Sequence, residues 1–496
     1  MSDILQYLNH ILHFLKITSS QHTFNSFQWS FIERVGKVLF QLAQIIILTR
    51  FLSKDDFGLV ALALVSIEFS YLFVDAGLNA GILHLQNSSQ RALSSVFWLN
   101  IGLAILLYGI LWILSPLLAD FYNEASLKTI IPLLGINILL LAIGRQHRTY
   151  LQRSFEFKSI ALIEIIAYAI ALILAIVLAF NDFGVYSLIY STLLASLISN
   201  LSYFLLRISK DPITFEFSWK EVQPFIKIGK FQLGSRLLDF FSKESDILII
   251  GKILGMEVLG LYSLTKQLVL RLFNVINPII TNVLSPWLAS LQAEQKKQKN
   301  AYLTITRYLA YLNFPLYLIF TTGSFEILYL LYGPSYVSGT LLLFTLAIYY
   351  SILSITNPVG SLQIATGRTD LGFYWTLFRA SITPIALLFG IQLNGVQGIA
   401  WVLLGLSVGL LYPLWWFQIR TMLPMSFRQY LEQFYRPLFS YLLLGFSVHF
   451  IVKPMFTLPN YVGTLIILLF VLFTQIGSIY IYDRTFFKTM QSYWQK

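Results

Sequence analysis

Apolar segments long enough to cross a lipid bilayer recur along the whole chain, and this recurrence limits its fold more than any other feature. A spanning helix needs about 20 predominantly apolar residues. Charged residues make up 11% of the chain, against about 25% in soluble proteins. We therefore predict an all-α integral membrane protein with about 14 transmembrane helices. Their approximate limits are 27–52, 57–79, 92–118, 129–150, 158–180, 184–207, 228–254, 257–285, 301–322, 338–365, 371–392, 395–419, 437–455 and 459–481.

Basic residues predict how the chain is threaded through the membrane, because Lys and Arg accumulate in cytoplasmic loops. With the N-terminus inside, 22 of the 34 Lys and Arg residues fall on the cytoplasmic side. Five fall on the outside: Arg50, Lys54, Lys128, Lys252 and Lys453. Topology thus explains the net charge of +11, so no nucleic-acid partner is expected, and both termini are predicted to be cytoplasmic.

Several function classes lack the residues they require. The chain has no cysteine, which excludes disulfides and thiolate metal sites. His84, His147 and His449 are far apart, and no phosphate-binding Walker loop is present. The predicted outer loops are too short for an enzymatic domain. We expect neither a metal nor a cofactor, and no catalytic residues.

Residues 1–26 have the pattern of an amphipathic helix. His10, His13 and Lys16 interrupt any apolar run, which argues against a signal peptide. Apolar residues at positions 4, 5, 8, 11, 12 and 15 share one helical face, which predicts a helix lying in the cytoplasmic membrane interface. A short disordered tail is the alternative.

An internal repeat predicts two related lobes. Residues 50–62 (RFLSKDDFGLVAL) match residues 252–264 (KILGMEVLGLYSL) at an offset of 202 positions, and Gly58 aligns with Gly260. We expect both glycines to be turn residues. Six helices per copy make the copies parallel and related by a pseudo-twofold axis, and such transporters place the substrate path between the halves. The predicted parts are an N-lobe (27–207), a cytoplasmic linker (208–227), a C-lobe (228–420) and two further helices with a tail (421–496).

Matching polar stripes on the first and seventh segments are the main candidate functional feature. The seventh segment carries a stripe spaced three, four and three residues apart on one helical face: Arg236, Asp239, Lys243 and Asp246. An offset of 202 maps this stripe onto Arg34, Lys37, Gln41 and Gln44 of the first segment. A charge at the bilayer centre costs about 2.5–3.5 kcal/mol, so we expect both stripes to line a shared water-filled cavity.

Ion-paired braces are the alternative explanation of these stripes. Consecutive members of the seventh-segment stripe can pair along the helix, and Glu244 lies beside them. The first segment has less compensation, because Glu33 offsets only one of Arg34 and Lys37. The remaining positive charge would favour an anionic ligand.

Other membrane-embedded polar residues support the same region. Gln267, Arg271 and Asn274 share a face of the eighth segment, and Pro278 permits a bend there. Glu68, on the second segment, is a candidate partner for Arg34 or Lys37. Glu164 is interpreted as an isolated membrane charge without an assigned role.

Three stretches together resemble the bacterial polysaccharide-unit flippases. They are RFLSKDDFGLVALA after the first helix, LQRSFEFK after the fourth and ATGRTD before the eleventh. The chain is most similar to the colanic-acid-exporter type of lipopolysaccharide biosynthesis protein, in the multidrug/oligosaccharidyl-lipid/polysaccharide exporter superfamily. The resemblance covers about residues 27–480, and the order and spacing of its motifs are more specific than any one motif.

The resemblance implies a protein of the bacterial inner membrane that flips an undecaprenyl-pyrophosphate-linked oligosaccharide to the periplasmic leaflet by alternating access. Its partners would be that glycan and membrane lipids, with a polysaccharide polymerase and glycosyltransferases as candidate protein partners. We assign diphosphate or sugar contacts to basic residues of the stripes and the eighth segment: Arg34, Lys37, Arg236, Lys243 and Arg271. Supporting or ion-coupling roles go to Glu33, Glu68, Asp239, Asp246 and Asn274.

Two rival functions remain open from the sequence. A cation-coupled multidrug antiporter of the same superfamily would favour an acidic or aromatic cavity over a net-basic first helix. An integral-membrane glycosyltransferase or polymerase would need a sizeable outer loop with catalytic residues, and no predicted outer loop is long enough.

Overall fold

The computed structural model describes residues 21–75, 82, 89–208 and 212–435, together with 437–439, 441 and 443. These residues form helices and no strand. The first elements are α1 (Gln21–Leu48), α2 (Lys54–Asp75), α3 (Gln90–Tyr122), α4 (Leu127–Arg153), α5 (Phe157–Phe180), α6 (Tyr186–Arg207), α7 (Trp219–Ile253) and α8 (Met256–Ser290). They are followed by α9 (Gln295–Thr322), α10 (Ser324–Leu331), a 3-10 helix (Pro334–Gly339), α11 (Thr340–Thr356), α12 (Pro358–Thr366), α13 (Thr369–Gly409), α14 (Leu411–Leu414), a π-helical turn (Trp415–Ile419), α15 (Arg420–Met422) and α16 (Phe427–Leu431).

The all-α fold class is confirmed, and each of the first twelve predicted segments overlaps one or more of these helices. The predicted segment 459–481 and residues 1–20 lie outside the described residues, as does most of segment 437–455. The count of 14 helices and the two-lobe symmetry therefore stay predictions. Within the described part of the chain, seven helical stretches are long and apolar enough to cross a membrane, and α9 with α10 adds a pair bent by 73°.

Local sequence explains where the membrane helices begin and end. At the start of α2, the Ser53 backbone N–H donates to the Asp56 carboxylate at 2.9 Å, and the Asp56 N–H donates to Ser53 Oγ at 3.2 Å. This reciprocal capping satisfies two N–H groups that have no intrahelical partner. Ser89 caps α3 by accepting from the Ala92 N–H, and Asn123 ends it in the left-handed conformation.

One predicted boundary differs from the observed one, and another agrees with it. The helix α7 begins at Trp219, inside the predicted linker 208–227. The non-helical residues 212–218 lie along the start of α3, where Ser94 Oγ and Ser95 Oγ accept from the backbone N–H groups of Thr214 and Ser218. In α13, Asn394 and Gly395 have non-helical backbone angles, so the helix is divided there as the eleventh and twelfth predicted segments require.

The described residues form two compact units, which divide between Ser263 and Leu264. In the N-terminal unit, α1 packs on α5, α4 packs between α3 and α6, and α7 contacts α2 and α3. Small residues permit this close packing, as is common between membrane helices. The buried face of α5 is a seam of alanines: Ala161, Ala167, Ala171, Ala175 and Ala179.

Gly58 and Gly260 are not turn residues, and that prediction is wrong. Gly58 lies within the first two turns of α2, and Gly260 occupies the same position in α8. A Cβ on either glycine would overlap the backbone of the other helix. The two glycines are needed for a close helix crossing, not for a positive φ.

In the C-terminal unit, α9 packs on α11 and α11 packs on α13. The core of this unit is formed mainly by buried side chains of α9, α12, the π-helical turn and α16. Arg307 on α9 donates to the Gln433 side chain at 2.7 and 3.0 Å. Large buried aromatic side chains fill this core: Tyr302, Phe314, Trp415, Tyr430 and Tyr441.

Candidate functional site

The carboxylate of Glu33 on α1 is held by α4. Arg148 donates from Nη2 to Glu33 Oε1 at 2.6 Å, and the Glu33 side chain is only 11% exposed. Arg148 lies near the end of α4, one helical turn after Gly144. Because a Cβ on Gly144 would overlap Asn200, the glycine lets α4 and α6 approach closely at this level.

Glu164 on α5 is the centre of the same group of charges. Tyr203 on α6 donates its hydroxyl to Glu164 Oε1 at 2.7 Å. Lys37 donates to the other carboxylate oxygen at 3.5 Å, and Arg148 Nε lies 3.9 Å from Oε1. Lys37 also lies over the Tyr168 ring, 4.7 Å from its centroid.

We name Glu33, Lys37, Arg148 and Glu164 the charge cluster. It joins α1, α4 and α5, and it contains two acidic and two basic side chains. Both carboxylates are buried, so each ion would be costly alone and is tolerated because opposite charges and hydrogen bonds surround it. The cluster is therefore electrically neutral within the N-terminal unit.

Arg34 is a basic residue of α1 that lies outside the charge cluster. Its side chain is exposed, and it forms no ion pair or hydrogen bond with any of the described residues. It lies between Glu33 and Lys37 in sequence, yet both of those neighbours are paired with α4 or α5. The net positive charge predicted for α1 thus resides on Arg34.

Two interpretations of the α1 charges are wrong. Glu33 does not offset Arg34 or Lys37, because Arg148 binds it at 2.6 Å. Glu164 is not an isolated charge, because Lys37, Tyr203 and Arg148 surround it. The sequence could not show this, since the paired residues are 115 and 127 positions apart.

The remaining α1 stripe also has contacts within the N-terminal unit. Gln44 donates to Ser191 Oγ on α6 at 2.8 Å. Glu68 on α2 is exposed, whereas Lys37, one of its predicted partners, is bound to Glu164. A cavity shared by the two stripes stays a prediction.

The α7 stripe is organised differently from the α1 stripe. Lys243 pairs with Asp239 one turn away at 3.5 Å, and both side chains are more than half exposed. Asp246 is buried, and it accepts from the Tyr262 hydroxyl on α8 and from the Ile247 N–H. Arg236 is half-buried on the same helix. The structure thus confirms one of the predicted pairs along α7, Asp239–Lys243.

The polar residues of α8 that belong to the C-terminal unit form a local arrangement. Arg271 donates to Gln267 Oε1 at 3.2 Å, as their shared helical face predicts. Asn274 is exposed. Among the residues that the structure describes, no group of three or more His, Cys, Asp or Glu could hold a metal ion.

A family model described as "Polysaccharide biosynthesis protein" matches residues 47–339. The chain belongs to this family. The match covers more than half of the chain and begins at the end of α1, so the resemblance noted in the sequence is confirmed. The protein is a multi-pass integral membrane protein with an all-α fold.

Curated relatives of this family match most of the chain. The teichuronic acid biosynthesis protein TuaB of Bacillus subtilis (strain 168) is 27% identical over 381 residues, which cover 77% of this chain and 79% of TuaB. The lipopolysaccharide biosynthesis protein WzxC of Escherichia coli (strain K12) is 26% identical over 421 residues, covering 84% and 85%. The succinoglycan biosynthesis transport protein ExoT of Rhizobium meliloti (strain 1021) is 24% identical over 426 residues, covering 86% and 85%.

Solved structures show which membrane fold this family member has. The lipid II flippase MurJ, in an inward closed conformation, aligns with a TM-score of 0.71 and 13% identity, over 93% of this chain and 100% of MurJ. An inward-facing multidrug resistance MATE family transporter of the MOP superfamily aligns with a TM-score of 0.61 and 16% identity, over 77% and 94%. The fold is therefore shared by a lipid flippase and a drug transporter.

Proposed function

We propose that this family member flips an undecaprenyl-pyrophosphate-linked oligosaccharide from the cytoplasmic to the periplasmic leaflet of the bacterial inner membrane by alternating access. Three relatives named for polysaccharide biosynthesis or transport support this proposal. The fold shared with a lipid II flippase agrees with it. A diphosphate and its sugars cannot cross about 30 Å of hydrocarbon unaided, so a transporter, not an enzyme, is the function required.

The observation that carries the proposal is the surplus charge on Arg34. The neighbouring charges are neutralised in the charge cluster, and Arg34 stays exposed in the middle of α1. A guanidinium can form two parallel hydrogen bonds to a phosphate, which would neutralise the charge of Arg34. Arg236, Lys243 and Arg271 are further contacts in this proposal, and Lys37 would act mainly by positioning α1.

A flipping assay tests this role. The protein is reconstituted in liposomes with a fluorescent undecaprenyl-pyrophosphate-linked disaccharide, and flipping is followed by quenching the label on the outer leaflet. We expect Arg34→Ala to lose most of the flipping rate and Arg34→Lys to retain part of it, since lysine keeps the charge but not the bidentate geometry. Thermal unfolding in detergent should be unchanged for both variants.

Lys128→Ala is the matched control. Lys128 lies at the opposite end of α4 from Arg148 and pairs with Asp120 at 3.1 Å, with the two side chains 48% and 71% exposed. The Lys128→Ala substitution removes one positive charge and leaves the contacts of α1 unchanged, so the flipping rate should equal that of the unsubstituted protein. Full flipping by Arg34→Ala would contradict the proposed cationic contact.

The rival is a multidrug antiporter, which has the same fold. The charge cluster does not favour it, because Glu33 on α1 is already bound to Arg148 and Glu164 on α5 to Lys37. Dye efflux from proteoliposomes distinguishes the two functions. An antiporter would export a cationic dye such as ethidium and leave the labelled lipid-linked disaccharide on its original leaflet.

A further inference from the structure

The starts of α2 and α8 cross with glycine against glycine. A Cβ on Gly58 would overlap the Met256 carbonyl oxygen, and one on Gly260 would overlap the Lys54 carbonyl oxygen. Each added Cβ would lie well within 3.0 Å of that carbonyl oxygen, and real Cβ atoms essentially never come so close to another heavy atom. The helices therefore touch through their backbones, and any larger residue at either position would force them apart.

This crossing is reciprocal. Each glycine faces the carbonyl group four residues before the other glycine, and Met256 and Gly260 are the positions that the repeat aligns with Lys54 and Gly58. Equivalent surfaces of two repeats meet in this way when a local twofold axis relates them. The sequence repeat thus has a direct structural counterpart at this point.

An ion pair lies on the exposed side of the crossing. Lys54 donates to Glu257 at 3.1 Å, and the Glu257 side chain is 64% exposed. Exposed ion pairs contribute about 0–1 kcal/mol. Contact between glycine backbones packs the helices without interlocking side chains at these two positions, so the glycine surfaces can part without a side-chain rearrangement.

We propose that the Gly58–Gly260 crossing is the outer gate of the transport path, which closes by glycine contact and must part when the glycan leaves on the periplasmic side. The proposal rests on the proposed function and on the predicted placement of Lys54 and Lys252 outside. The alternative is a permanent pivot, at which α2 and α8 stay in contact throughout the transport cycle.

A reversible cross-link distinguishes a gate from a pivot. The chain has no cysteine, so Lys54→Cys with Glu257→Cys gives one reactive pair, at a partly exposed and a largely exposed side chain. The pair is joined in detergent by a short bis-methanethiosulfonate reagent, and the protein is then reconstituted with the labelled lipid-linked disaccharide. A gate predicts that flipping falls in proportion to the cross-linked fraction and returns when a reductant opens the link.

Controls separate the failure of this inference from that of the proposed function. Each single-cysteine variant receives the same reagent and should keep its flipping rate. If the reduced double variant flips the disaccharide and the cross-linked form flips it equally well, the crossing is a pivot and the gate is wrong. If the unsubstituted protein never flips the disaccharide, the proposed function fails, whatever the cross-link does.

Glycine substitutions test the same contact by preventing it, whereas the cross-link holds it closed. Gly58→Ala and Gly260→Ala each introduce a Cβ that overlaps a backbone carbonyl, so the gate cannot close and the flipping rate should fall. Gly102→Ala on α3 is the matched control, because a Cβ there meets nothing within 4 Å. Flipping by Gly260→Ala at the rate of Gly102→Ala would overturn the requirement for glycine contact.

Discussion

The helices α1 and α7 occupy equivalent places in the sequence repeat, yet they compensate their charges in different ways. On α1, the charges are bound across helices by residues far away in sequence, as Glu33 is by Arg148 and Lys37 by Glu164. On α7, Lys243 and Asp239 pair along the helix itself and are largely exposed. The repeat position of Lys37 and Asp239 thus belongs to a buried brace in one copy and to an exposed pair in the other. Farther along α7, Asp246 is buried and bound by Tyr262 of α8.

The difference shows which charges are available for a ligand. A buried ion pair that loses one partner is strongly destabilised, so the charge cluster has to remain intact while α1 moves as part of its unit. The exposed pair on α7 can exchange partners at small cost. On α1 only Arg34 is free of this constraint among the charges described, and it would carry the ligand contact.

The largest expected effect comes from breaking the charge cluster. Arg148→Ala removes the side chain that holds Glu33 and approaches Glu164, and we expect a loss of about 3 kcal/mol in the free energy of unfolding. The effect should appear as low membrane abundance and a lowered melting temperature in detergent. Arg148→Ala combined with Glu33→Gln should recover part of the loss, because Glu33 then no longer leaves an ionised carboxylate buried without its partner.

The control for this experiment is Arg148→Lys, which keeps the charge and should cost less than the alanine variant. If the losses from Arg148→Ala and Glu33→Gln simply add in the double variant, the two residues are not coupled. That outcome would contradict the description of the cluster as one neutral unit.

The sequence was sufficient for the membrane class and for most helix positions, because long apolar segments depend on local composition alone. It also located Arg34, Lys37 and the α7 stripe on helices where polar residues are unusual. It could not predict the Arg148–Glu33 pair, since pairing between α4 and α1 depends on how helices pack and not on spacing along one helix. Gly58 and Gly260 were misassigned for the same reason: a glycine needed for close approach has no local signature that distinguishes it from a turn glycine.

An intermediate effect is expected from two tyrosines, one on α6 and one on α8, whose hydroxyls each bind a buried carboxylate. Tyr203→Phe removes the hydrogen bond to Glu164, and Tyr262→Phe removes the one to Asp246. Hydrogen bonds to charged groups contribute about 1.5–3 kcal/mol, and both carboxylates are buried. We expect each variant to lose stability in this range, because each leaves a buried carboxylate with one hydrogen bond fewer.

Thermal unfolding of both variants in the same detergent measures these losses, and Tyr186→Phe on α6 serves as a control. An unchanged melting temperature for Tyr203→Phe would show that its hydroxyl does not stabilise Glu164. An unchanged melting temperature for Tyr262→Phe would show the same for Asp246.

The smallest effect is expected on the exposed face of α7. Asp239→Asn removes the charge that pairs with Lys243 across one helical turn, where the two side chains are 51% and 64% exposed. Pairs of this kind contribute about 0.3–0.5 kcal/mol, so the melting temperature should barely change and should depend weakly on salt. Glu164→Gln, which removes one buried charge of the cluster, should cost several times more in the same measurement. If Asp239→Asn were as destabilising as Glu164→Gln, the α7 stripe would also be a structural brace, and a ligand contact at Lys243 would lose its support.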